Sequence, residues 1–139
     1  MVPAKLNSLM AWMMVSIVAF GMFGCKKSTP APAVEETLVV ITTPATGTTL
    51  MPQPLGNGLP IEVKVTSAMP SDGVIVKVVG QNEITNATFY TQSITNKLST
   101  NNFVVTGIPI GWACIATITV TSVKKASNTW SGTVRFSGK

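Results

Sequence analysis

The chain contains no histidine, and only 5 of its 139 residues are acidic. The first absence excludes Ser–His and Cys–His nucleophile pairs, His-ligated zinc and imidazole proton shuttling. The second leaves too few carboxylates for a metal cage or a paired general acid and base. A glycine-rich phosphate loop is missing as well. The groups an enzyme needs are therefore absent, and the expectation is a non-catalytic chain with no cofactor and no metal. From Thr37 onward seven basic residues face three acidic ones, a net +4, yet only Lys124 and Lys125 are adjacent. No basic stripe is interleaved with aromatics, so nucleic acid is not an expected partner. At this length the chain holds one ordinary domain.

What is present divides into unlike segments. Lys5 supplies a positive charge, and Leu9 to Phe23 is an apolar run broken only by Ser16. Those 15 residues match the hydrophobic region of an export signal and fall short of the roughly 20 needed to span a bilayer. Five of the 7 methionines, and Trp12, lie before Cys25, so they contribute nothing to a mature core. The mean hydropathy of +0.39 is raised by the same segment. After Cys25 comes Lys26-Lys27-Ser28-Thr29-Pro30-Ala31-Pro32-Ala33-Val34-Glu35-Glu36, which has no core-forming pattern. It reads as a flexible, extended tether, on the order of 30 Å long at about 3.1 Å per residue.

Met22-Phe23-Gly24-Cys25 resembles a bacterial lipobox, in which a small residue precedes a cysteine that is diacylated on sulfur and becomes the mature N-terminus. Gly24 and Cys25 match that pattern, Met22 stands for the usual leucine, and Phe23 is bulkier than the usual small residue. The resemblance implies a bacterial lipoprotein held in the cell envelope, at the outer membrane, through a lipid on Cys25. The alternatives are an uncleaved anchor helix beginning at Leu6, or cleavage without lipid, which would give a secreted, unlipidated domain. The expected organisation is a signal peptide with its helix at 1–24, a lipidated cysteine and tether at 25–36, and a folded domain at 37–139.

That last segment shows no helical period. Short runs rich in Val, Ile and Thr alternate with turn residues, giving strands at Thr37–Thr42, Pro60–Ser67, Val74–Val79, Ala87–Gln92, Asn102–Thr106, Ala113–Val123 and Thr129–Phe136. The long connection from Thr43 to Leu59 leaves room for a short edge strand at Thr48–Met51. In Ile61-Glu62-Val63-Lys64-Val65-Thr66 the apolar residues share one face. The same logic turns Val74, Val76 and Val78 inward, with Cys114, Ala116, Ile118, Val120, Val134 and Phe136. Met69-Pro70-Ser71-Asp72-Gly73 and Lys124-Lys125-Ala126-Ser127-Asn128 read as turns. The expected fold is all-β: a single antiparallel β-sandwich of about seven strands.

Asn102 to Ser122 resembles the corner and sixth strand of fibronectin type III and related immunoglobulin-like domains, with Ile108, Gly111, Ile118 and Val120 at the matching positions. Gly132-Thr133-Val134-Arg135-Phe136 is similar to the closing strand of that family. Cys114 stands where the corner tyrosine would be, so the broader immunoglobulin-like class is the name these residues carry. The resemblance implies that the chain enters the sandwich at the end holding Met69, Asp72, Lys124 and Lys125. Leu50, Met51, Pro54, Leu55 and Ile108 to Trp112 would then point away from an anchor.

Four side chains beyond Cys25 are candidates for contact with a partner. Ile108, Ile110 and Trp112 concentrate apolar surface in one corner, where they either dock a ligand or plug the end of the sandwich. Trp130, near Asn128 and Lys124-Lys125, either stacks on a sugar or packs. Cys114 lies in an apolar alternation and reads as a small core hydrophobe, pairing with Cys25 only if that residue carries no lipid. Asn86-Ala87-Thr88 matches the N-glycosylation triplet, a pattern frequent by chance. The expected function is a lipid-anchored envelope module that binds protein or glycan or serves envelope structure, with a glycan-binding, adhesin-like surface domain as the alternative. The ligand, the membrane leaflet and the oligomeric state are not written in these residues.

Overall fold

Alternation of β-branched and polar residues allows only one way of hiding the apolar half, as the inner faces of paired sheets. The computed structural model describes residues 34–48, 51–53 and 58–138, with the backbone alone for 51–53. The expected signal peptide, lipobox and most of the tether lie outside the described residues. Within them every regular element is a strand: β1 (Val40–Thr43), β2 (Met51–Gln53), β3 (Leu59–Val65), β4 (Val74–Asn82), β5 (Thr88–Asn96), β6 (Thr100–Val105), β7 (Ala113–Ser122) and β8 (Thr129–Gly138). One sheet has the order β1-β3-β6 and the other β2-β8-β7-β4-β5. Pairing is antiparallel throughout except between β2 and β8, where Met51 lies opposite Phe136 and Gln53 opposite Gly138 in parallel register. All seven expected strands are present, and the fold is an all-β sandwich.

The two sheets enclose one core. Ile61, Val63, Val65, Val74, Val76, Val78, Cys114, Ala116, Ile118, Val120, Val134 and Phe136 are buried, on the faces that the alternation assigns to them. Glu62, Lys64 and Arg135 remain exposed on the opposite faces. Burying one Val or Ile side chain is worth about 1.5–3 kcal/mol, so this shared row is the main source of cohesion. Phe89 crosses above Gly80 and meets the Phe136 ring edge to face, with centroids 6.4 Å apart at 80°. Only glycine leaves room for it: a Cβ at residue 80 would lie 2.9 Å from Phe89 Cε2. The β4–β5 register shifts at Gly80/Gln81, a bulge that brings Phe89 to this position.

Three asparagines tie connections to the sheets. Asn82 Oδ1 accepts from the amides of Ile84 and Thr85 at 2.8 Å each and shapes the β4–β5 turn. Asn101 accepts from Asn96 Nδ2 at 2.7 Å and donates to the Leu98 carbonyl at 3.2 Å, closing the β5–β6 turn. Asn128 does the same work at the point where the chain enters the sandwich. The turn before β4 is closed by Gly73, whose amide donates to the Pro70 carbonyl at 2.9 Å with φ at +87°.

Candidate functional site

The strand directions divide the sandwich into two ends with different chemistry. At the first end lie the segment entering β1, the β3–β4 turn, the β5–β6 turn and the β7–β8 turn. Here Asn128 Oδ1 accepts from the Leu38 amide at 3.0 Å, while its Nδ2 donates to the Glu36 carbonyl at 2.8 Å and to Glu35 Oε2 at 3.2 Å. Ser122 Oγ donates to Glu35 Oε1 at 2.6 Å, and Glu36 Oε2 accepts from the Ala68 amide at 3.0 Å. Glu35 and Glu36, the last residues of the expected tether, are thus bonded to the sandwich. The Ser122 hydrogen bond is the largest cause holding the Glu35 carboxyl below its ordinary value; burial opposes it, and Asn128, Lys125 and Lys124 add to it. Met69 packs on the core at this end.

The opposite end carries the β4–β5 turn and the β6–β7 corner. Gly107 and Gly111 take φ of +69° and +72°, turning the chain sharply on either side of Ile108-Pro109-Ile110. The corner is clamped to β8: the Gly111 amide donates to the Gly138 carbonyl at 3.2 Å, and the Gly138 amide donates to the Trp112 carbonyl at 3.4 Å. A Cβ on Gly138 would collide with the Pro109 carbonyl, so the backbones meet here without side chains between them.

The candidate residues separate on this frame. Ile108 packs against the core, as a plug would. Ile110 is 69% exposed and Trp112 39% exposed, so the corner is only partly a plug. Ile84, at the tip of the β4–β5 turn, is 82% exposed at the same end. It escaped the sequence reading because a single isoleucine in a polar turn, Asn82-Glu83-Ile84-Thr85-Asn86, carries no pattern. The Glu83 amide donates to the Ala113 carbonyl at 2.8 Å, which brings that turn beside the corner, and the Glu83 carboxylate pairs with Arg135 Nε at 2.5 Å. Ile84, Ile110 and Trp112 are thus all exposed at this end, which also carries one surface ion pair.

Trp130 is elsewhere. It lies on the inward row of β8, half-buried against the core and beside Gly132, where a Cβ would stand 2.7 Å from the indole. Thr46, on the connection that leaves β1 for β2, presses on the same glycine, and the Gly47 amide donates to the Thr133 carbonyl at 2.8 Å. Cys114 is fully buried and unpaired, and burial pushes its thiol up. A thiol so placed is neither a nucleophile nor accessible to a second cysteine in the folded state.

Cys25, Leu50, Pro54, Leu55 and the Met51 side chain lie outside the described residues. Among the described residues no group of three His, Cys, Asp or Glu side chains is placed to hold a metal ion. No protein-family model, curated protein or solved structure matches this chain.

Proposed function

We propose that the chain is a non-catalytic, lipid-anchored module of the bacterial cell envelope that meets a protein partner with the end of its sandwich farthest from the anchor. The observation that supports this reading is the separation of the two ends. The segment leading from Cys25 is bonded to the sandwich through Glu35, Glu36 and Asn128, and the exposed Ile84, Ile110 and Trp112 lie at the other end. Apolar side chains grouped on a surface form a contact patch, and one held away from the bilayer is open to partners.

The anchor is tested by the intact mass of protein extracted from membranes, for wild type and Cys25→Ala. The expected wild-type product starts at Cys25 and carries acyl mass, both lost in the variant; an unmodified soluble wild-type chain would overturn the reading. The distal contact is tested by Ile110→Ala and Trp112→Ala, with circular dichroism to establish folding. Partner capture that survives both changes in a folded protein removes that end from the proposal. A glycan-binding reading is favoured by one observation, the accessible indole of Trp112. Quenching of its fluorescence by oligosaccharides, lost in Trp112→Ala, would select it over a protein partner.

A further inference from the structure

We infer that β5 is a self-pairing edge: two copies of this chain join antiparallel through Thr88–Asn96, centred on Gln92, to make one continuous ten-stranded sheet. The inference is independent of the anchor. It starts from an imbalance between the sheets, five strands against three. β6, the last strand of the smaller sheet, packs over β4, so β5 reaches past the cover of the opposite sheet. Its inward residues Tyr90 and Ile94 touch the core yet stay only half-buried, and Gln92 between them is exposed.

A free edge strand normally carries a device that repels further strands: a lysine, a proline, extreme shortness or a bulge. Two of the other free edges have such features: β1 has 4 residues and β2 has 3 including Pro52, while β6, also uncharged, has 6. β5 runs for 9 residues, Thr-Phe-Tyr-Thr-Gln-Ser-Ile-Thr-Asn, with neither charge nor proline. Its bulge is confined to the first turn of pairing at Gly80/Gln81, and Tyr90 to Asn96 pair with β4 in unbroken register. The unpaired backbone groups on its outer side form a template for another strand.

The side chains select a second copy, and one register. Residues facing each other across an antiparallel pair lie on the same face of the sheet. Centring the pair on Gln92 sets Tyr90 opposite Ile94, both on the inward face and both half-buried, an aromatic against a β-branched residue. Thr91 then meets Ser93 on the outward face, and Gln92 meets its own copy, amide to amide. Moving the centre to Thr91 would set Tyr90 against Gln92, and moving it to Ser93 would set Tyr90 against Asn96. Only the Gln92 register pairs the two uncovered apolar side chains. Since β5 is uncharged, it is also a place where two domains of net +4 can approach without like charges meeting at the contact.

The test uses the full-length chain in membranes and in detergent. Sedimentation is expected to give a dimer for wild type and a monomer for Gln92→Lys, which sets two like charges opposite each other on an exposed position. Under mild oxidation in membranes Gln92→Cys is expected to cross-link, at least tenfold more than the parent chain, whose only described thiol is buried. Thr91→Cys and Ser93→Cys, which oppose each other on the outward face beyond the bulge, are expected to cross-link faster when mixed than when either is alone. A wild-type monomer whose Gln92→Cys variant stays uncrosslinked overturns the inference. So does a dimer indifferent to Gln92→Lys, or Thr91→Cys linking to itself as fast as Gln92→Cys. The parent chain oxidised in parallel separates this result from the state of Cys25, because a free Cys25 would cross-link without any change at β5.

Discussion

Asn128 shows how much one buried amide can organise. Its carbonyl and amino groups make three hydrogen bonds to the segment Glu35–Leu38, 90 to 93 residues away in the chain. Asn128→Ala leaves the Leu38 amide and the Glu36 carbonyl without that partner, and such losses cost about 1–3 kcal/mol when the orphaned groups are shielded from water. Urea unfolding should therefore show a lower midpoint with little change in slope. The neighbouring Glu35 makes the same attachment sensitive to acid. Its carboxyl is held below the ordinary 4.5 first by the Ser122 hydrogen bond, so the folded state favours the ionised form. That contribution is complete above 4.5 and is lost as pH falls through the lower folded value. The expected outcome is that the segment before β1 becomes more open to proteolysis at acid pH, and that Glu35→Gln flattens this dependence. Cys114 supplies a contrast. In a Cys25→Ala chain, a thiol reagent should modify it only after denaturant is added, because burial both hides the sulfur and raises its pKa.

At the scale of the element, the inward rows of β3, β4, β7 and β8 could be read from alternation because one face of each strand has no choice but burial. Val63 and Ile118 are fully buried for that reason. The second half of β5 could not be read this way. Ser93-Ile94-Thr95-Asn96 has one apolar residue, and its strand conformation comes from pairing with β4, where Ile75 lies opposite Thr95 and Val74 opposite Asn96. The exposure of Ile110 and Trp112 was likewise hidden, since it follows from the clamp between the corner and Gly138, a contact across the sandwich end. The attachment of Glu35 and Glu36 was hidden for the same reason: polar contacts at long separation leave no period. Gly132 is another such case, a glycine inside a strand whose purpose appears only when Thr46 and Trp130 are seen against it. Gly132→Ala would put a methyl 2.5 Å from Thr46 Cγ2 and 2.7 Å from the indole. Overpacking of this kind costs about 1–3 kcal/mol, and the thermal midpoint should fall, together with a shift in Trp130 emission.

For the whole molecule, the direction of entry and the antiparallel β5 contact make opposing demands, and that opposition can be measured. A single anchored copy, under the proposed function, holds the β7–β8 turn toward the bilayer, where Lys124 and Lys125 each gain about 1 kcal/mol from an anionic leaflet. The opposite end stands off by the length of the strands, roughly 30 Å for a ten-residue β7. Pairing through β5 reverses one copy relative to the other, so an entry end lies beside a distal end. On one membrane both anchors are satisfied only if the paired sheet lies along the surface. Fluorophores on Ala126→Cys and Thr85→Cys report the two ends, with lipid-borne quenchers in the vesicles. At about one copy per vesicle, Ala126→Cys should be quenched well above Thr85→Cys. As surface density rises the two values should converge, whereas the same labels in a Gln92→Lys background should keep their difference at every density. Convergence that persists with Gln92→Lys would mean that crowding tilts the domains without β5. Equal quenching even at the lowest density would remove the upright orientation while leaving the strand pairing to its own test by cross-linking.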